Sequence, residues 1–463
     1  MSRLRPLALL LVFGNLSCRG PGWTPEAPPP REPEGLATPE LVAFMPEDDI
    51  TPRGSANGRY VAFVSAQNGN LDVWVRDYAR RSTYPLTLDG AADFDPDIAP
   101  AGDRLVFVSR RSDAKGDLYL SHGLETGAKK ERLTQEGSRD RQPTFAPDGR
   151  HIYFTQAYGV GDEAIAVLDL ETRETRRVSP GPGFDPAVSP DGRYLIYTEP
   201  GVGRAEHPHL TALRVTDSAT RAVTAADSPA GFARFAPAGP APGTQRLVFN
   251  RFPDDDDASG HLDAEDRASL WRLDVRLDAL FERRDADLRP PGVVSRPFPL
   301  TDGSDDELFA DVAAGFIYFA QGSLQQDIFR LPLSGVFPEH TDPLAYFALA
   351  ETLEDPRTRW FAYRAAWATA APGSLPEAQA LLAIGRLQEE RGRADMAADA
   401  YRQLIGVRVA SGTTDPRQAE RAAGRRPAER GGTAPPARDP RQAERAGGRR
   451  AAARGGRAPQ APD

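Results

Sequence analysis

Acidic side chains are concentrated in one short segment of this chain and could bind a hard cation. The segment DDDDASGHLDAED at 254–266 has seven Asp or Glu among thirteen residues. Calcium takes six to eight oxygen ligands, and a calcium loop supplies them from positions 1, 3, 5, 7, 9 and 12, with glycine at position 6. Gly260 fits position 6. The predicted ligands are Asp255, Asp257, Ser259, His261, Asp263 and Asp266.

The alternative is a solvated acidic surface loop. Asp266 reaches less far than the Glu that usually closes a calcium loop, and no helix pair is predicted to flank the segment. His207 and His209, on either side of Pro208, are a second candidate for metal binding, although two ligands alone are a weak basis. Calcium is thus the one cofactor for which the sequence gives a reason, and no other is predicted.

Cys18 is the single cysteine, so no intramolecular disulfide can form. It follows Arg3, Arg5 and the apolar run 7–13, which together are typical of an export signal and too short to span a bilayer. The segment Asn15-Leu16-Ser17-Cys18 resembles the lipobox of bacterial lipoproteins, with Asn15 as a departure. That resemblance implies a lipid on Cys18 and, with Arg19 next, transport to the outer membrane. The alternative is an ordinary secretory signal with an incidental cysteine.

The remaining sequence divides by composition. Residues 1–18 are the signal, and the Pro-rich stretch 19–38 is expected to be an extended tether. The net charge of −9 argues against nucleic-acid binding, which needs a basic face.

A repeated segment predicts the fold of the central region. A short apolar run, a tight turn and a strand ending in an aromatic residue recur six times. The first three intervals between the terminal aromatics, 44, 47 and 43 residues, match a four-stranded propeller blade. The aromatics are Phe63, Phe107, Phe154, Tyr197, Phe249 and Phe319.

The tight turns have a structural explanation. Proline fixes φ, aspartate bonds back to the backbone, and glycine accepts the positive φ of the hairpin. We therefore assign a structural role, not a catalytic one, to Pro147, Asp148, Gly149, Pro190, Asp191 and Gly192.

The sixth blade lacks a fourth strand after 327–334, whereas the strand-like segment 40–46 has no partner. We expect this early strand to close blade six, because such pairing removes two exposed strand edges. The prediction is a mainly β protein with a six-bladed β-propeller of four-stranded blades over 39–338.

The Asp-Pro and Ser-Pro-Asp-Gly-Arg repeats resemble those of the TolB-type six-bladed propeller family over about 40–338. The resemblance implies the fold and a place in the cell envelope, and says little about activity. The periplasmic TolB protein also carries an α/β domain before its propeller, where this chain has a signal and a tether. That difference argues against a role in the Tol–Pal system.

The pattern becomes helical over 341–408. Its last two helices resemble a tetratricopeptide repeat, with Gly385 at a small position and Tyr401 at a large one. We expect a small α-helical hairpin region that docks on the propeller or on a partner. The tail 409–463 is low in complexity, rich in Arg, Ala, Gly and Pro, and is expected to be disordered.

No nucleophile elbow and no His-Glu-x-x-His motif is present, so we predict that the protein is not an enzyme. Asp305, Asp306 and Glu307 are interpreted as the turn before a strand. The leading hypothesis is an outer-membrane lipoprotein, facing the periplasm or the cell surface, that binds an envelope protein partner through the propeller loops. The alternative is a propeller that binds or hydrolyses an envelope glycan or peptide near its central channel.

Overall fold

A computed structural model describes residues 39–407 with short gaps. The gaps are 44, 136, 202–206, 225–228, 238–241, 253–266, 283–292, 294, 302–304, 323–324 and 333–341. Cys18, the acidic residues predicted to bind calcium, the Pro-rich stretch and the basic tail therefore lie outside the described residues.

The chain forms six antiparallel sheets of four strands each, which confirms the predicted six-bladed propeller. Blade one holds β2 Asp49–Gly54, β3 Tyr60–Ser65, β4 Asp72–Asp77 and β5 Ser82–Pro85. Blade two holds β6 Asp93–Ile98, β7 Leu105–Ser109, β8 Asp117–Ser121 and β9 Lys130–Arg132. Blade three holds β10 Arg139–Phe145, β11 His151–Ala157, β12 Ala164–Asp169 and β13 Thr175–Arg177.

Blade four holds β14 Phe184–Val188, β15 Tyr194–Glu199, β16 His209–Arg214 and β17 Thr220–Ala222. Blade five holds β18 Ala230–Ala236, β19 Gln245–Arg251, β20 Ser269–Val275 and β21 Phe298–Pro299, with the short helix α1 Leu277–Glu282 between its last two strands. The sequence did not predict this helix. Blade six holds β22 Glu307–Ala313, β23 Phe316–Gln321 and β24 Asp327–Pro332, and its fourth strand is β1 Glu40–Ala43.

The pairing of β1 with β24 closes the ring as expected. Glu40 lies opposite Arg330 in the antiparallel register, and the two side chains form an ion pair at 2.8 Å. The earliest described strand and the last strand of the propeller thus share one sheet. The pairing covers the edge of β24, and β1 becomes the outer edge strand of blade six.

The repeated aromatics form the centre of the packing between blades. Each lies on the second strand of its blade and is at most 2% exposed. Burial of such rings is worth roughly 2–3 kcal/mol each, so the repeat supplies a large part of the propeller core. These residues are Phe63, Phe107, Phe154, Tyr197, Phe249 and Phe319.

The Pro-Asp-Gly turns join the first and second strands of blades three and four. Gly149 and Gly192 have φ of 66° and 71°, in the left-handed region that glycine accepts most readily. Asp148 Oδ1 accepts hydrogen bonds from the N–H groups of Arg150 and His151, at 2.8 and 3.0 Å. Because consecutive strands are antiparallel, these turns lie on one face of the propeller, which we call the turn face. The inner strands begin at the opposite face, which we call the strand-start face.

Four helices follow the propeller: α2 Pro343–Thr352, α3 Pro356–Thr369, α4 Leu375–Glu390 and α5 Ala394–Gly406. The first three begin after a side-chain cap, provided by Asp342, Asp355 and Ser374. No helix among the described residues is long and apolar enough to cross a membrane.

The helices dock on blade five. Trp271 of β20 meets Trp360 and Phe361 of α3 with ring centroids 5.8 and 5.6 Å apart. Arg296, just before β21, forms a buried ion pair with Glu377 of α4 and donates a hydrogen bond to the carbonyl of Trp367. The sequence left open whether the helices dock on the propeller or on a partner. In the structure they dock on the propeller.

The close approach of α4 and α5 depends on Gly385. A Cβ atom at this position would lie 2.3 Å from Cε1 of Tyr401, whose ring is 2% exposed. The pair therefore uses a small and a large residue as predicted for a tetratricopeptide-like hairpin, although assignment to that repeat stays a prediction.

We expect Gly385→Ala to destabilise the protein by about 1–3 kcal/mol, because overpacking outweighs the ~1 kcal/mol that alanine gains in a helix. The matched control is Gly406→Ala at the end of α5, where an added Cβ meets nothing within 4 Å. Thermal unfolding of the two variants measures the difference. Equal melting temperatures would contradict the close packing.

Candidate functional site

The six inner strands share a bulge in which a residue other than glycine has positive φ. The register of each inner strand shifts at this point against its neighbour. Such residues are uncommon and mark a bulge or strain. They are Thr51 (49°), Asp95 (51°), Gln142 (51°), Asp185 (53°), Phe232 (54°) and Phe309 (56°).

In four of the six bulges the next residue is proline, which has no N–H to donate to the sheet. These prolines are Pro52, Pro96, Pro143 and Pro186. The Asp-Pro repeat noticed in the sequence is thus the mark of this inner bulge.

Side chains beside the bulge bind the backbone of the next blade. Asp97 Oδ2 accepts the N–H of Phe145 at 2.7 Å, which joins blade two to blade three. Asp311 Oδ2 accepts the N–H of Gly54 at 2.7 Å, which joins blade six to blade one. Buried N–H groups must find an acceptor, and these carboxylates accept N–H groups on the inner edge of the neighbouring sheet.

Three further contacts of this kind join neighbouring blades. Asp95 Oδ2 accepts the N–H of Gln142 at 3.0 Å. Gln142 Oε1 accepts the N–H of Asp185, also at 3.0 Å. Thr198 Oγ1 accepts the N–H of Phe232 at 3.1 Å. The inner strands are therefore linked around the axis as well as through their own sheets.

Charged side chains from several blades meet at the axis. Arg234 of blade five pairs with Asp185 of blade four through two hydrogen bonds of 2.7 and 2.8 Å. Arg53 of blade one lies 3.8 Å from Asp97 of blade two. Asp311 of blade six and Arg234 also act electrostatically on Arg53. We call these five residues the axial charge network.

Burial acts to lower the pKa of Arg234, but the Asp185 carboxylate raises it. For Asp97 and Arg53, burial outweighs the neighbouring opposite charges. It raises the pKa of Asp97 to about 7, although Arg53 acts in the opposite direction. Burial and the neighbouring Arg234 lower the pKa of Arg53. The carboxylates are already bonded to arginines or to backbone N–H groups, so they are placed to hold the channel in shape.

One side of the channel is apolar. Phe232 meets Phe184 and Phe309 edge to face, with ring centroids 6.1 and 5.4 Å apart, and the three rings are only partly buried. These rings belong to blades four, five and six and lie in the early part of the inner strands. Partly exposed aromatic rings near the strand-start face form a surface that a partner can cover.

The other side is polar. Asp95 and Gln142 stand at the equivalent bulge positions of blades two and three, and Arg141 stacks over Phe94 at 4.9 Å. The channel therefore presents aromatic rings on one side and polar groups on the other. We call this surface the channel mouth.

The residues predicted from sequence lie elsewhere. The Pro-Asp-Gly residues are on the turn face, and Cys18 and the acidic segment lie outside the described residues. His209 Nδ1 is 3.2 Å from the carbonyl oxygen of His207, and within the described residues no group of three or more His, Cys, Asp or Glu could hold a metal. Asp305 and Asp306 precede β22, whereas Glu307, also assigned to the turn from sequence, is the first residue of the strand.

Sequence reasoning did not identify the axial charge network. A signal was present in the repeats: Arg53, Asp97, Arg234 and Asp311 each stand two residues after the bulge residue of their blade. Their common position would have predicted a common location at the axis. Their opposite charges would then have predicted pairing.

Comparison with known proteins agrees with the fold. Residues 35–239 match the family model described as TolB beta propeller domain. "Protein TolB homolog" of Chlorobium chlorochromatii is 32% identical over 108 residues, 23% of each chain. The protein of the same name from Chlorobium luteolum is 28% identical over 127 residues, 27% of this chain and 28% of the relative. The chain thus spans about a quarter of the length of these curated relatives.

Two solved structures also match part of this chain. TolB from Acinetobacter baumannii has a TM-score of 0.36 and 16% identity, covering 44% of this chain and 51% of that one. Oligogalacturonate lyase from Vibrio parahaemolyticus has a TM-score of 0.40 and 11% identity, covering 63% and 92%.

We expect Asp185→Asn to lower the free energy of unfolding by about 3 kcal/mol, because it leaves the buried Arg234 without its carboxylate. Urea denaturation measures this change. The control is Asp217→Asn, which breaks an exposed pair with Arg214 (2.6 Å) and should have a much smaller effect. Equal destabilisation by the two variants would show that the buried axial pair contributes no more to the free energy of unfolding than the exposed pair does.

Proposed function

We propose that this chain, which carries a TolB-type six-bladed propeller, is an exported scaffold that binds a protein partner in the cell envelope. The observation that supports this function best is the two-sided channel mouth, where Phe184, Phe232 and Phe309 face a polar side across the axis. Aromatic residues are enriched in the energetic centres of protein interfaces, and polar groups around them fix orientation.

The partner segment is expected to insert at the strand-start face. We expect the segment to stop at the axial charge network, where Arg53 and Arg234 pair with Asp97 and Asp185. A loop or an extended segment with an apolar residue against the Phe cluster and a polar edge towards Asp95 and Gln142 fits this surface. The resemblance of the propeller to the TolB type supports an envelope location for such a partner.

A photoreactive residue in place of Phe309 should crosslink the partner in cells that normally make the protein. The matched control is the same residue at Glu171, which is exposed on the turn face. A discrete adduct is expected only from position 309, measured by mass shift on denaturing gels. Removing one central aromatic typically costs about 2 kcal/mol of binding, so Phe309→Ser should also weaken recovery of the same partner.

Equal adducts from both positions, or none from position 309, would contradict the proposed binding face. If isolated cell-wall fragments bind the purified protein and compete with the crosslink, the channel serves the glycan or peptide ligand of the alternative hypothesis.

The lipid anchor is a further part of the proposal. Acylation of Cys18 would hold the propeller at the outer membrane through several acyl chains, since a single chain gives marginal attachment. Cys18→Ser should move the protein from the membrane to the soluble envelope fraction, and intact mass of the mature chain should lose the acyl groups. Ser17→Ala is the control. Unchanged membrane retention of the Cys18 variant would refute the anchor.

We also propose calcium binding by the segment 254–266, through Asp255, Asp257, Ser259, His261, Asp263 and Asp266. Isothermal titration should show saturable heat with Ca²⁺ that is lost when Asp255 and Asp257 become Asn. Asp103→Asn, at an exposed position on blade two, is the control for a general loss of negative charge. Heat equal to dilution in the unmodified protein would exclude the site.

A further inference from the structure

A cavity of about 1350 Å³ lies between blade five and the helices. Blade five contributes Phe249 and Leu273 to its wall, and the helices contribute Trp360, Trp367 and Leu381. Ligand pockets in proteins are typically about 300–1,000 Å³; this one is an open cleft of larger volume, and its wall combines apolar groups with arginine, glutamate and aspartate side chains. The cavity can therefore hold an organic ligand, and it lies away from the channel mouth.

Arg364 of α3 places a cation in the wall of this cavity. Its guanidinium carbon lies 4.4 Å from the ring centre of Trp367, 5.6 Å from that of Trp360 and 5.7 Å from that of Trp271. Stacking on indoles holds a guanidinium in place without neutralising its charge. The buried Nε of Arg364 has no hydrogen-bond partner among the described residues.

Asp399 favours the charged form of Arg364, but it does not outweigh burial and the nearby cations Arg251 and Arg296. Arg296 is already paired with Glu377. The carboxylate of Asp399 binds Gln403 at 2.7 Å and lies 3.5 Å from Arg402. Burial, followed by the proximity of Arg251, lowers the pKa of Arg364 to about 9. A cation in this position is stabilised by any anion that enters the cavity.

The geometry points to a binding site for a carboxylate carried on an apolar body, with Arg364 as its counter-ion. The carboxylate meets the guanidinium, and the apolar body lies against the more exposed apolar part of the wall, which includes Ala368, Met396 and the edge of the Trp367 ring. A small inorganic anion would leave most of the cavity and its apolar wall unfilled. Neither the family match nor the proposed partner site accounts for this pocket, since the helices form half of it.

Two sources provide this chemistry, an aliphatic acid released from lipid and the free carboxyl terminus of an apolar peptide. The full-length protein is titrated with decanoate, with acetyl-Leu-Leu-Phe, and with the amide of each compound. Trp360 and Trp367 line the cavity, so intrinsic tryptophan fluorescence reports binding. We expect at least one acid to bind saturably. Its amide should bind more weakly by a factor of about ten or more, which corresponds to a free-energy difference of at least ~1.4 kcal/mol.

Decanoate binding alone identifies an aliphatic acid as the ligand class, and peptide binding alone identifies a carboxyl terminus. Failure of both acids, or equal binding of an acid and its amide, overturns the proposal. This comparison uses the unmodified protein and does not depend on the folding of a variant.

The variant Arg364→Gln tests the counter-ion directly. It should weaken binding of the acid about tenfold and leave the amide unaffected, whereas the melting temperature without ligand should stay the same or rise, because an uncompensated charge is removed. The matched control is Arg150→Gln, an exposed arginine of blade three that pairs with Asp169. Unchanged acid binding by the Arg364 variant would contradict its assignment.

Discussion

The structure depends on the hydrogen bonds that cross from one inner strand to the next at the propeller axis. Each inner strand is the edge of its sheet at the axis, so some of its backbone groups have no partner within the blade. Asp97 and Asp311 supply acceptors to the neighbouring blade at 2.7 Å. The side chains that satisfy this inner edge thus also set the position of one blade against the next. These contacts therefore determine the shape of the channel mouth.

The axial charge network adds specificity to this arrangement. A buried ion pair gives little net stability, because desolvation offsets most of the attraction, yet loss of one partner is costly. Arg234 can pair bidentately with Asp185 only when blades four and five are in register. We interpret the network as a device that penalises misassembled rings, which share the same hydrophobic repeat and would otherwise be close competitors.

The blades could be predicted from sequence because their signals are local. Hairpin turns such as the one at Asp148 and Gly149 recur at nearly constant spacing, as do buried aromatics such as Phe107. The unpaired segment near Glu40 likewise predicted the closing strand. The axial contacts could not be predicted in this way. Arg53 and Asp311 are 258 positions apart, and only the closed ring brings them together.

Local sequence patterns also could not predict that the helices dock on blade five. The sequence indicated apolar helices and a close approach at Gly385. No sequence pattern, however, predicts that the rings of Trp271 and Trp360 contact each other. The cavity beside them, with Arg364 in its wall, exists only because two separately folded patterns meet there. The lipid and calcium predictions concern residues outside the described part of the chain and stay predictions.

Amide hydrogen exchange tests the central claim most directly. The N–H groups of Gly54, Phe145 and Phe232 are accepted by side chains of a neighbouring blade, so the account predicts exchange as slow as that of central strand amides such as Phe107. Fast exchange at these positions, comparable with that of the Gly149 turn, would contradict the claim that contacts across the axis hold the propeller together.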